Sequence, residues 1–385
     1  MTVDRGTSIE ALGRFCEAHL DDTLATIAAL AGVESPSLDK AAVDRCGAEL
    51  ASVLADAGCR VERVAQSGRG DHLVARLPGD GRPTMILGHF DTVWPVGTLA
   101  RMPLRRDGDR LYGPGVFDMK AGIAIALSAI RALEATATPH PPIVMLWTAD
   151  EEIGSGSSRA LIEAEARGCG AVLVMEPALP GGALKTARKG CGEFELVVHG
   201  IAAHAGLDPE KGASAIHELA AQIGAIERLQ DLPHGISVNV GLVSGGSRAN
   251  VVADEARAVI DARAPTRAAA EAIDAVLRGL QPLRSGTRLT ISGGFDRPPM
   301  ERTAAGAELF ARARALAARL GRDLAEGSAG GGSDGNFTSA LGVPTLDGLG
   351  AIGDGAHAAH ENVEISSLGW RSALVAGLLA GFTQR

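Results

Sequence analysis

The chain has 385 residues with a formal net charge of -9, and 46% of its residues are hydrophobic against 22% charged. This length exceeds one ordinary hydrophobic core, so two domains are expected, and the composition is that of a globular enzyme. The acidic balance excludes a nucleic-acid-binding face, and no apolar run reaches the length of a membrane span. We therefore expect neither a nucleic-acid partner nor a membrane partner.

The N-terminal segment and the cysteines give no sign of export. The segment MTVDRGTSIEALGRF carries acidic residues early and lacks an apolar core, so no signal peptide is predicted and the cytoplasm is the expected location. The cysteines are scattered without a CxxC pair, which argues against a disulfide framework or a thiolate zinc site. Five free thiols without an assigned role are expected: Cys16, Cys46, Cys59, Cys169 and Cys191.

The first part of the chain alternates helices with apolar strands. Apolar residues at helical spacing predict two amphipathic helices within the first sixty residues, over 12–30 and 43–54. Further helices are predicted over 120–133 and after Gly156. The strands between them are almost wholly apolar, which indicates a mostly parallel sheet sandwiched by helices. These strands are predicted over 72–77, 84–89, 143–149 and 171–176.

The pattern changes after the breaker cluster PALPGG at 177–182. Alternating strands over 194–200, 236–246 and 255–264, with helices over 212–229 and 268–280, predict an inserted α+β domain of four antiparallel strands and two helices. The chain then returns to the pattern of its first part, with a helix over 304–320, a glycine-rich turn over 327–335 and a final helix over 366–382. The expected domains are a catalytic domain in two parts, 1–181 and 298–385, and the insertion, 182–297.

Acids and histidines cluster where predicted strands end, which is where ligands gather in parallel sheets. The segments are GHFDTV, GPGVFDMKAG, TADEEIGS, VMEPA and GAHAAHEN. In the first of them, His89 and Asp91 are two residues apart and share a face of an extended segment. Asp91 could therefore hold the far ring nitrogen of His89, as metal-ligating histidines require.

The remaining acids have two interpretations each. Asp118 follows a Gly-Pro-Gly turn before a helix, where a helix cap is the local interpretation and a carboxylate bridging two cations the alternative. Asp150, Glu151 and Glu152 form a triplet that is costly to bury unless cations compensate it. One Glu could then ligate while its neighbour acts as general base. Glu176 ends an apolar strand, where an acid without a partner is unexpected.

Together these residues predict a metal centre. His, Asp and Glu at successive strand ends suit two closely spaced Zn²⁺ ions with mixed nitrogen and oxygen ligands. No GxSxG elbow, Walker loop or Rossmann fingerprint competes, and the glycine-rich stretch 330–335 lacks the P-loop lysine. The further histidine candidates are His199, His204, His357 and His360.

The sequence resembles the M20 metallopeptidase family, and within it the carboxypeptidase G2-like (glutamate carboxypeptidase) branch. The similarity extends from about residue 85 to the C-terminus. Seven segments match in order and spacing: GHFDTVWPVGT, LYGPGVFDMKAG, TADEEIGS, MEPA, HGIAAHAG, RANVVADEARAVIDAR and GAHAAHENVEI.

The resemblance implies two Zn²⁺ ions per subunit, with Co²⁺ or Mn²⁺ as possible substitutes, and a cis peptide after the bridging Asp. It implies Glu151 as general base and Asp91 as the residue that orients His89. HAAHEN offers His357 and His360 as the last ligand, and the family spacing to the following Glu and Val selects His357. The implied ligands are Asp118 as the bridge, His89 and Glu176 for one ion, and Glu152 and His357 for the other.

The resemblance also implies that the insertion is a lid and dimerisation domain, so a homodimer is expected. His204 would reach the partner's active site and stabilise the oxyanion. Asn250 and Arg263 would hold the substrate's carbonyl and terminal carboxylate, with Arg297 as a second clamp. Without the resemblance, a turn Asn and a solvated strand Arg would be the preferred interpretations.

The expected activity is hydrolysis of an amide bond next to a free carboxylate in a small peptide or N-acyl amino acid. The VWPVGT segment and the spacing of Asn250 and Arg263 favour release of a C-terminal amino acid such as glutamate. One alternative is an N-acyl-amino-acid deacylase of the aminoacylase or desuccinylase type, which uses the same machinery. Another is a non-catalytic metal-binding protein on a hydrolase fold, against which the presence of Glu151 argues.

Overall fold

A computed structural model describes residues 8–381 of the chain. The last residue of the predicted helix over 366–382 and the outer ends of the predicted catalytic domain lie outside the described residues. The chain forms two compact units. The first comprises the described residues up to Thr186, Arg302–Ser328 and those from Ser333 onward, and the second comprises Ala187–Glu301 and Ala329–Gly332. The functional domain limits expected from the sequence stay a prediction.

The first unit contains more N-terminal helices than the sequence predicted. The prediction of two helices in the first sixty residues is wrong, because the first apolar pattern is divided at His19, which leaves the helical conformation. The ring Nδ1 of His19 donates to the carbonyl of Phe15 and closes the first helix. The apolar spacing continues across this break and therefore hides it. The helices are Ile9–Ala18, Leu20–Ala31, Lys40–Asp56, Ala121–Ala135, Arg159–Arg167, Ala304–Arg319, Gly335–Ala340 and Ile365–Leu379.

A six-stranded sheet forms the centre of the first unit. Thr84–His89 pairs in parallel with Ile143–Thr148 and with Ala171–Val174, whereas His72–Leu77 runs antiparallel to both of its neighbours. Every residue of Ile143–Thr148 is buried, as expected of a strand covered on both faces. The predicted mostly parallel sheet is confirmed. The strand order is Arg60–Val64, His72–Leu77, Ile143–Thr148, Thr84–His89, Ala171–Val174 and Thr345–Leu346.

A small antiparallel sheet in the same unit joins two distant loops. Asn362–Glu364 pairs with Gly353–Asp354 on one side and with Arg110–Tyr112 on the other, and Arg105–Asp107 completes the sheet. Because of this pairing, the turn after Tyr112 lies beside the segment GAHAAHEN. A further two-stranded sheet consists of Leu184–Arg188 and Glu326–Ala329.

The second unit is an antiparallel sheet with its own core. Alternate residues of the strands, such as Phe194, Leu196 and Ile260, pack with Leu219 and Leu277 from the two helices. The predicted four antiparallel strands and two helices are confirmed. The strand order is Ser237–Gly245, Glu255–Ala264, Gly190–His199 and Arg288–Arg297, and the helices are Ala215–Glu227 and Arg267–Arg278. Across residues 8–381, no helix has the length and apolar character needed to span a bilayer.

Candidate metal centre

The five predicted ligands lie together in the first unit, although they come from separate parts of the chain. They form two groups that share Asp118, and within each group the candidate ligand atoms lie within 4.8 Å of one another. Each residue ends or follows a strand of one of the two larger sheets of this unit, and the loops after these strands bring the residues to one place. The first group is His89, Asp118 and Glu176, and the second is Asp118, Glu152 and His357.

Each carboxylate oxygen of Asp118 faces a different imidazole. The Nε2 atom of His89 lies 3.3 Å from Asp118 Oδ1 and 3.5 Å from Glu176 Oε1. The Nε2 atom of His357 lies 3.3 Å from Asp118 Oδ2 and 3.1 Å from Glu152 Oε2. Zinc bonds of about 2.0–2.2 Å place tetrahedral ligand atoms about 3.4 Å apart. The observed separations therefore match donors arranged around a small cation.

The tautomer of His89 points to the same conclusion. Its Nδ1 atom lies 3.0 Å from the backbone carbonyl of Asp91 and 3.5 Å from Asp91 Oδ1. A carbonyl can only accept, so Nδ1 carries the hydrogen and Nε2 of the neutral ring presents its lone pair to two carboxylates. Lone pairs that face each other need a proton or a cation between them.

Two buried carboxylate oxygens indicate that this site needs compensating positive charge. Asp118 Oδ1 and Glu152 Oε1 are buried and accept no hydrogen bond, which is costly for charged groups. Hydrogen bonds that protonated His357 donates to the carboxylates of Asp118 and Glu152 raise its pKa to about 10. Burial alone would lower the pKa of His89, but its contacts with Asp118, Asp91 and Glu176 raise it well above the usual value. Divalent cations would compensate the same acids, so this donor set fits them.

His357 rather than His360 belongs to the site. The backbone of His357 has a φ of 61°, in the left-handed region that non-glycine residues rarely occupy. The Nε2 atom of His360 instead lies 3.7 Å from Asp354 Oδ2, and His360 is in neither ligand group among the described residues. The geometry therefore favours the ligand that the family spacing selects.

The acidic turn with Glu151 and Glu152 is held by Asp91. The carboxylate of Asp91 is fully buried and accepts the backbone N–H groups of Glu151 and Glu152, each at 3.3 Å. The sequence pattern placed this carboxylate against His89, but the shortest contact of the His89 ring is with the Asp91 carbonyl. Asp91 therefore links the ligand His89 to the turn that carries the ligand Glu152.

Asp334 is a residue of this site that the sequence did not reveal. It is buried, and its two carboxylate oxygens accept from the hydroxyls of Thr148, at 3.0 Å, and Ser155. These hydroxyls lie on either side of the acidic turn, so one carboxylate binds both ends of the loop. The only signal in the sequence is the glycine-rich stretch 330–335 around Asp334, which lacks the P-loop lysine and predicts no site.

In the second unit, His204 and Asn250 lie side by side. The backbone N–H of Ala205 donates to the carbonyl of Asn250 at 3.0 Å. The Nδ1 atom of the exposed His204 accepts from the N–H groups of Gly206 and Leu207, both at 3.1 Å. The ring hydrogen of neutral His204 is therefore on Nε2, which makes that atom a hydrogen-bond donor.

Cys191 lies between two arginines of the sheet. It pairs with Arg263 in one neighbouring strand and with Arg297 in the other. Asp261 binds two nitrogens of Arg263, with Nε at 2.9 Å and Nη2 at 2.6 Å, and raises its pKa. The Nη1 atom of Arg263 lies 2.6 Å from Cys191 Sγ. The guanidinium is thus held in place by a carboxylate of its own strand.

The two pairs of predicted substrate residues lie at opposite ends of the second unit's sheet. Arg263 pairs with Cys191 at one end of Glu255–Ala264, whereas Glu255 pairs with His199 at the other end. At about 3.3 Å per residue, the strand separates Arg263 from Glu255 by about 26 Å. Asn250 lies beyond Glu255, so a single chain does not bring Asn250 and Arg263 onto one small substrate.

Comparison with known proteins agrees with this geometry. Residues 85–380 match the peptidase family M20/M25/M40. Carboxypeptidase G2 of Pseudomonas sp. (strain RS-16) is 29% identical over 368 residues, which cover 92% of this chain and 88% of that protein. Succinyl-diaminopimelate desuccinylase of Paracoccus denitrificans is 31% identical over 252 residues, which cover 60% of this chain and 64% of that protein.

Solved structures show the same fold. Aminopeptidase PepT of Bacillus cereus superposes with a TM-score of 0.81 at 24% identity, over 94% of this chain and 98% of that one. A dinuclear metal-binding M20 peptidase of Bacillus subtilis superposes with a TM-score of 0.69 at 17% identity, over 94% and 98%. The family match, the fold and the two ligand groups agree. The chain therefore belongs to the peptidase family M20/M25/M40 and is a metallohydrolase of that family.

Proposed function

We propose that this protein is a two-zinc hydrolase that cleaves an amide bond next to a free carboxylate and releases a C-terminal amino acid such as glutamate. The observation that carries the proposal is the sharing of Asp118 between two ligand groups, with one oxygen directed to each. His89 and Glu176 complete one metal site, and Glu152 and His357 the other. Co²⁺ or Mn²⁺ could replace Zn²⁺, because the same nitrogen and oxygen donors suit all three.

Glu151 is the proposed general base. It follows the same strand as the ligand Glu152, and Asp91 fixes the backbone of both residues. Bound divalent cations supply Lewis acidity at this site. Glu151 takes a proton from the attacking water and delivers it to the leaving amine, which is a task for a carboxylate that is not itself a ligand. Among the described residues, Glu151 belongs to neither ligand group.

The substrate residues of the second unit divide into two tasks. We assign Arg263 and Arg297 to the terminal carboxylate, since guanidinium groups bind carboxylates through two hydrogen bonds. His204 is assigned to the oxyanion, because its Nε2 atom is a donor in the neutral ring, and Asn250 to the substrate carbonyl. These assignments follow the resemblance, and the fixed orientations of Arg263 and His204 support them.

The proposal includes a homodimer that completes the site. Because Arg263 lies at one end of the strand Glu255–Ala264 and Asn250 lies beyond its other end, His204 and Asn250 would serve the active site of a second copy. The edge strand Ser237–Gly245 has no charged residue, and Leu242 and Val243 on it are 68% and 59% exposed. Proteins usually protect such an edge with charges, so pairing between two copies is the proposed function of this strand.

The substrate class has one specific alternative. The similarity to carboxypeptidase G2 covers most of both chains and favours release of a C-terminal amino acid. The similarity to the desuccinylase favours an N-acyl-amino-acid deacylase instead. For the location we propose the cytoplasm, because all five cysteines are free thiols, as is usual in a reducing compartment.

A substrate panel tests the proposal. Purified protein is stripped with a chelator and assayed with and without added Zn²⁺ on N-acyl amino acids, dipeptides and folate-like glutamate conjugates. We expect zinc to restore turnover, with the highest kcat/KM on conjugates that end in glutamate. Preference for N-succinyl or N-acetyl amino acids would select the deacylase. Binding of metal without turnover on any compound would identify a non-catalytic protein and refute the proposal.

A further inference from the structure

Glu361 is a fully buried acid whose carboxylate is surrounded by donors. Its Oε1 atom accepts from the backbone N–H groups of Phe117, at 2.9 Å, and Asp118, at 3.0 Å. Its Oε2 atom accepts from the N–H of Gly115, at 2.9 Å, and from the indole Nε1 of Trp94, at 2.7 Å. Four donors, two on each oxygen, therefore converge on one side chain.

The local backbone is shaped to bind this carboxylate. Gly115 has a φ of 71°, and a Cβ at that position would lie 2.7 Å from Thr92 Cγ2, so only glycine fits there. Successive N–H groups that turn inward around such a residue form a concave anion site. Here the anion is a side chain of the same protein, and the loop that surrounds it ends in Asp118.

The position of Glu361 joins both halves of the metal centre. Glu361 lies four residues after His357, and its own carbonyl accepts the N–H of Gly113 at 3.2 Å. The contacts of one residue thus join the loop that carries Asp118 to the loop that carries His357. Among the described residues, Glu361 belongs to neither ligand group, and both of its oxygens accept N–H donors.

We propose that Glu361 is a positioning residue for the metal centre, which fixes residues 115–118 so that the two oxygens of Asp118 face His89 and His357 at once. The inference rests on the proposed function, because it takes Asp118 to be the shared ligand. Trp94 is the side-chain donor in this arrangement and connects it to the segment that follows Asp91.

The variant Glu361→Gln tests the inference most directly. Each carboxylate oxygen accepts two N–H groups, so the amide nitrogen of Gln would face two donors in either orientation. We expect the dissociation constant for Zn²⁺, measured by competition with a chromophoric chelator, to rise about 10- to 100-fold. The visible absorption of the Co²⁺-substituted protein should change as well, since the ligand geometry changes.

Glu218→Gln in the second unit is a matched control. Glu218 is also a fully buried glutamate with four hydrogen-bonding partners, namely Gln222, Leu283, Arg284 and Thr287. None of these partners is a proposed ligand. We expect this control to lower the thermal stability and to leave the Zn²⁺ dissociation constant and the Co²⁺ spectrum unchanged.

Trp94→Phe provides a milder test, because it removes one donor and retains the three backbone hydrogen bonds. It should raise the Zn²⁺ dissociation constant by less than Glu361→Gln does. If Glu361→Gln does not fold, the Zn²⁺ affinity of Trp94→Phe tests the positioning role of Glu361. Unchanged zinc affinity and an unchanged Co²⁺ spectrum in the folded variants would overturn the inference. Failure of the wild-type protein to bind Zn²⁺ would instead overturn the proposed function.

Discussion

Glu361 and Glu218 are both buried glutamates that bind a loop, the first beside the metal centre and the second in the other unit. Both carboxylates are fully buried, and both accept hydrogen bonds from four residues. In the second unit three of the four donors belong to a loop at 281–287 that has no predicted chemistry, and the fourth, Gln222, lies on the same helix as Glu218. In the first unit three of the four donors are backbone N–H groups of the loop that carries Asp118. The comparison teaches that burial and hydrogen bonding alone do not identify a functional acid, and that the segment held by the acid does.

The same contrast extends to the units as wholes. The first unit buries several acids in or against the acidic turn, including Asp91, Asp150 and Asp334. Such a concentration of charge is tolerated where cations or catalysis require it. The second unit is organised around an apolar core, and its predicted functional groups lie at the two ends of the sheet. If the first unit carries the catalytic residues and the second unit completes the substrate site, substitutions in the two units should affect turnover in different ways.

The largest effect is expected from Glu151→Ala. Loss of the general base should lower kcat by about 10²- to 10⁴-fold, because Glu151 is the carboxylate proposed to transfer the proton. Metal content, measured by inductively coupled plasma mass spectrometry, should stay near the wild-type value. The neighbouring variant Glu152→Ala is the matched control and should lose metal together with activity. If Glu151→Ala retained nearly full turnover, the assignment of the base would be wrong.

A mixture of two inactive chains tests the role of the second unit. If His204 serves the partner's site, a dimer formed from one His204→Ala chain and one Glu151→Ala chain contains one intact site. Random re-pairing of equal amounts should then recover about a quarter of wild-type activity. The measurement is turnover before and after the subunits are exchanged. If mixing yields no more activity than the separate variants, His204 acts within its own chain or not at all.

Asp334→Asn should have an intermediate effect. The amide keeps the size of the side chain but loses one of the two acceptors that bind Thr148 and Ser155. The acidic turn should become less well placed, and kcat should fall about 10- to 100-fold with a small change in KM. Asp347→Asn is a suitable control, because Asp347 is equally buried and accepts from Ser333. A loss of stability in both variants with unchanged kcat would show that Asp334 has only a structural role.

The sequence predicted the parts of this structure that depend on local pattern. The strands 72–77 and 84–89 and the four-stranded insertion follow from alternation and apolar runs, because these reflect burial directly. The segments that hold the five ligands stand out because they place acids and histidines near the ends of predicted strands, and the family resemblance selects the ligands among them. The division at His19 was missed, since hydrophobic spacing continues through it.

The supporting acids could not be predicted for a different reason. Asp334 is 186 residues from Thr148, and Glu361 is 246 residues from Gly115. Nothing in the local sequence distinguishes a buried acid that binds a distant loop from an exposed one. The contact between partners so far apart in the sequence is a property of the fold, and only the three-dimensional structure reveals it.

The smallest effect on activity is expected from Glu218→Gln, which should change stability alone. Burial would raise the pKa of Glu218, but the hydrogen bonds from Leu283, Gln222, Arg284 and Thr287 lower it below the ordinary value of 4.5. A lowered pKa stabilises the folded state above pH 4.5, and this contribution is lost as the pH falls through the folded-state value. At neutral pH the variant should lose roughly 1–3 kcal/mol, because buried donors are left without an acceptor.

The pH dependence separates the charge of Glu218 from its shape. The difference in Tm between wild type and Glu218→Gln should be largest near neutral pH and should narrow below pH 4.5, where the wild-type carboxyl also becomes neutral. Thermal unfolding followed by circular dichroism across this range provides the measurement, and kcat/KM at neutral pH should match the wild type. A Tm difference that did not vary with pH would mean that packing, rather than the ionised carboxylate, holds the 281–287 loop. A loss of activity would mean that Glu218 also affects the metal centre, which would contradict a purely structural role for Glu218.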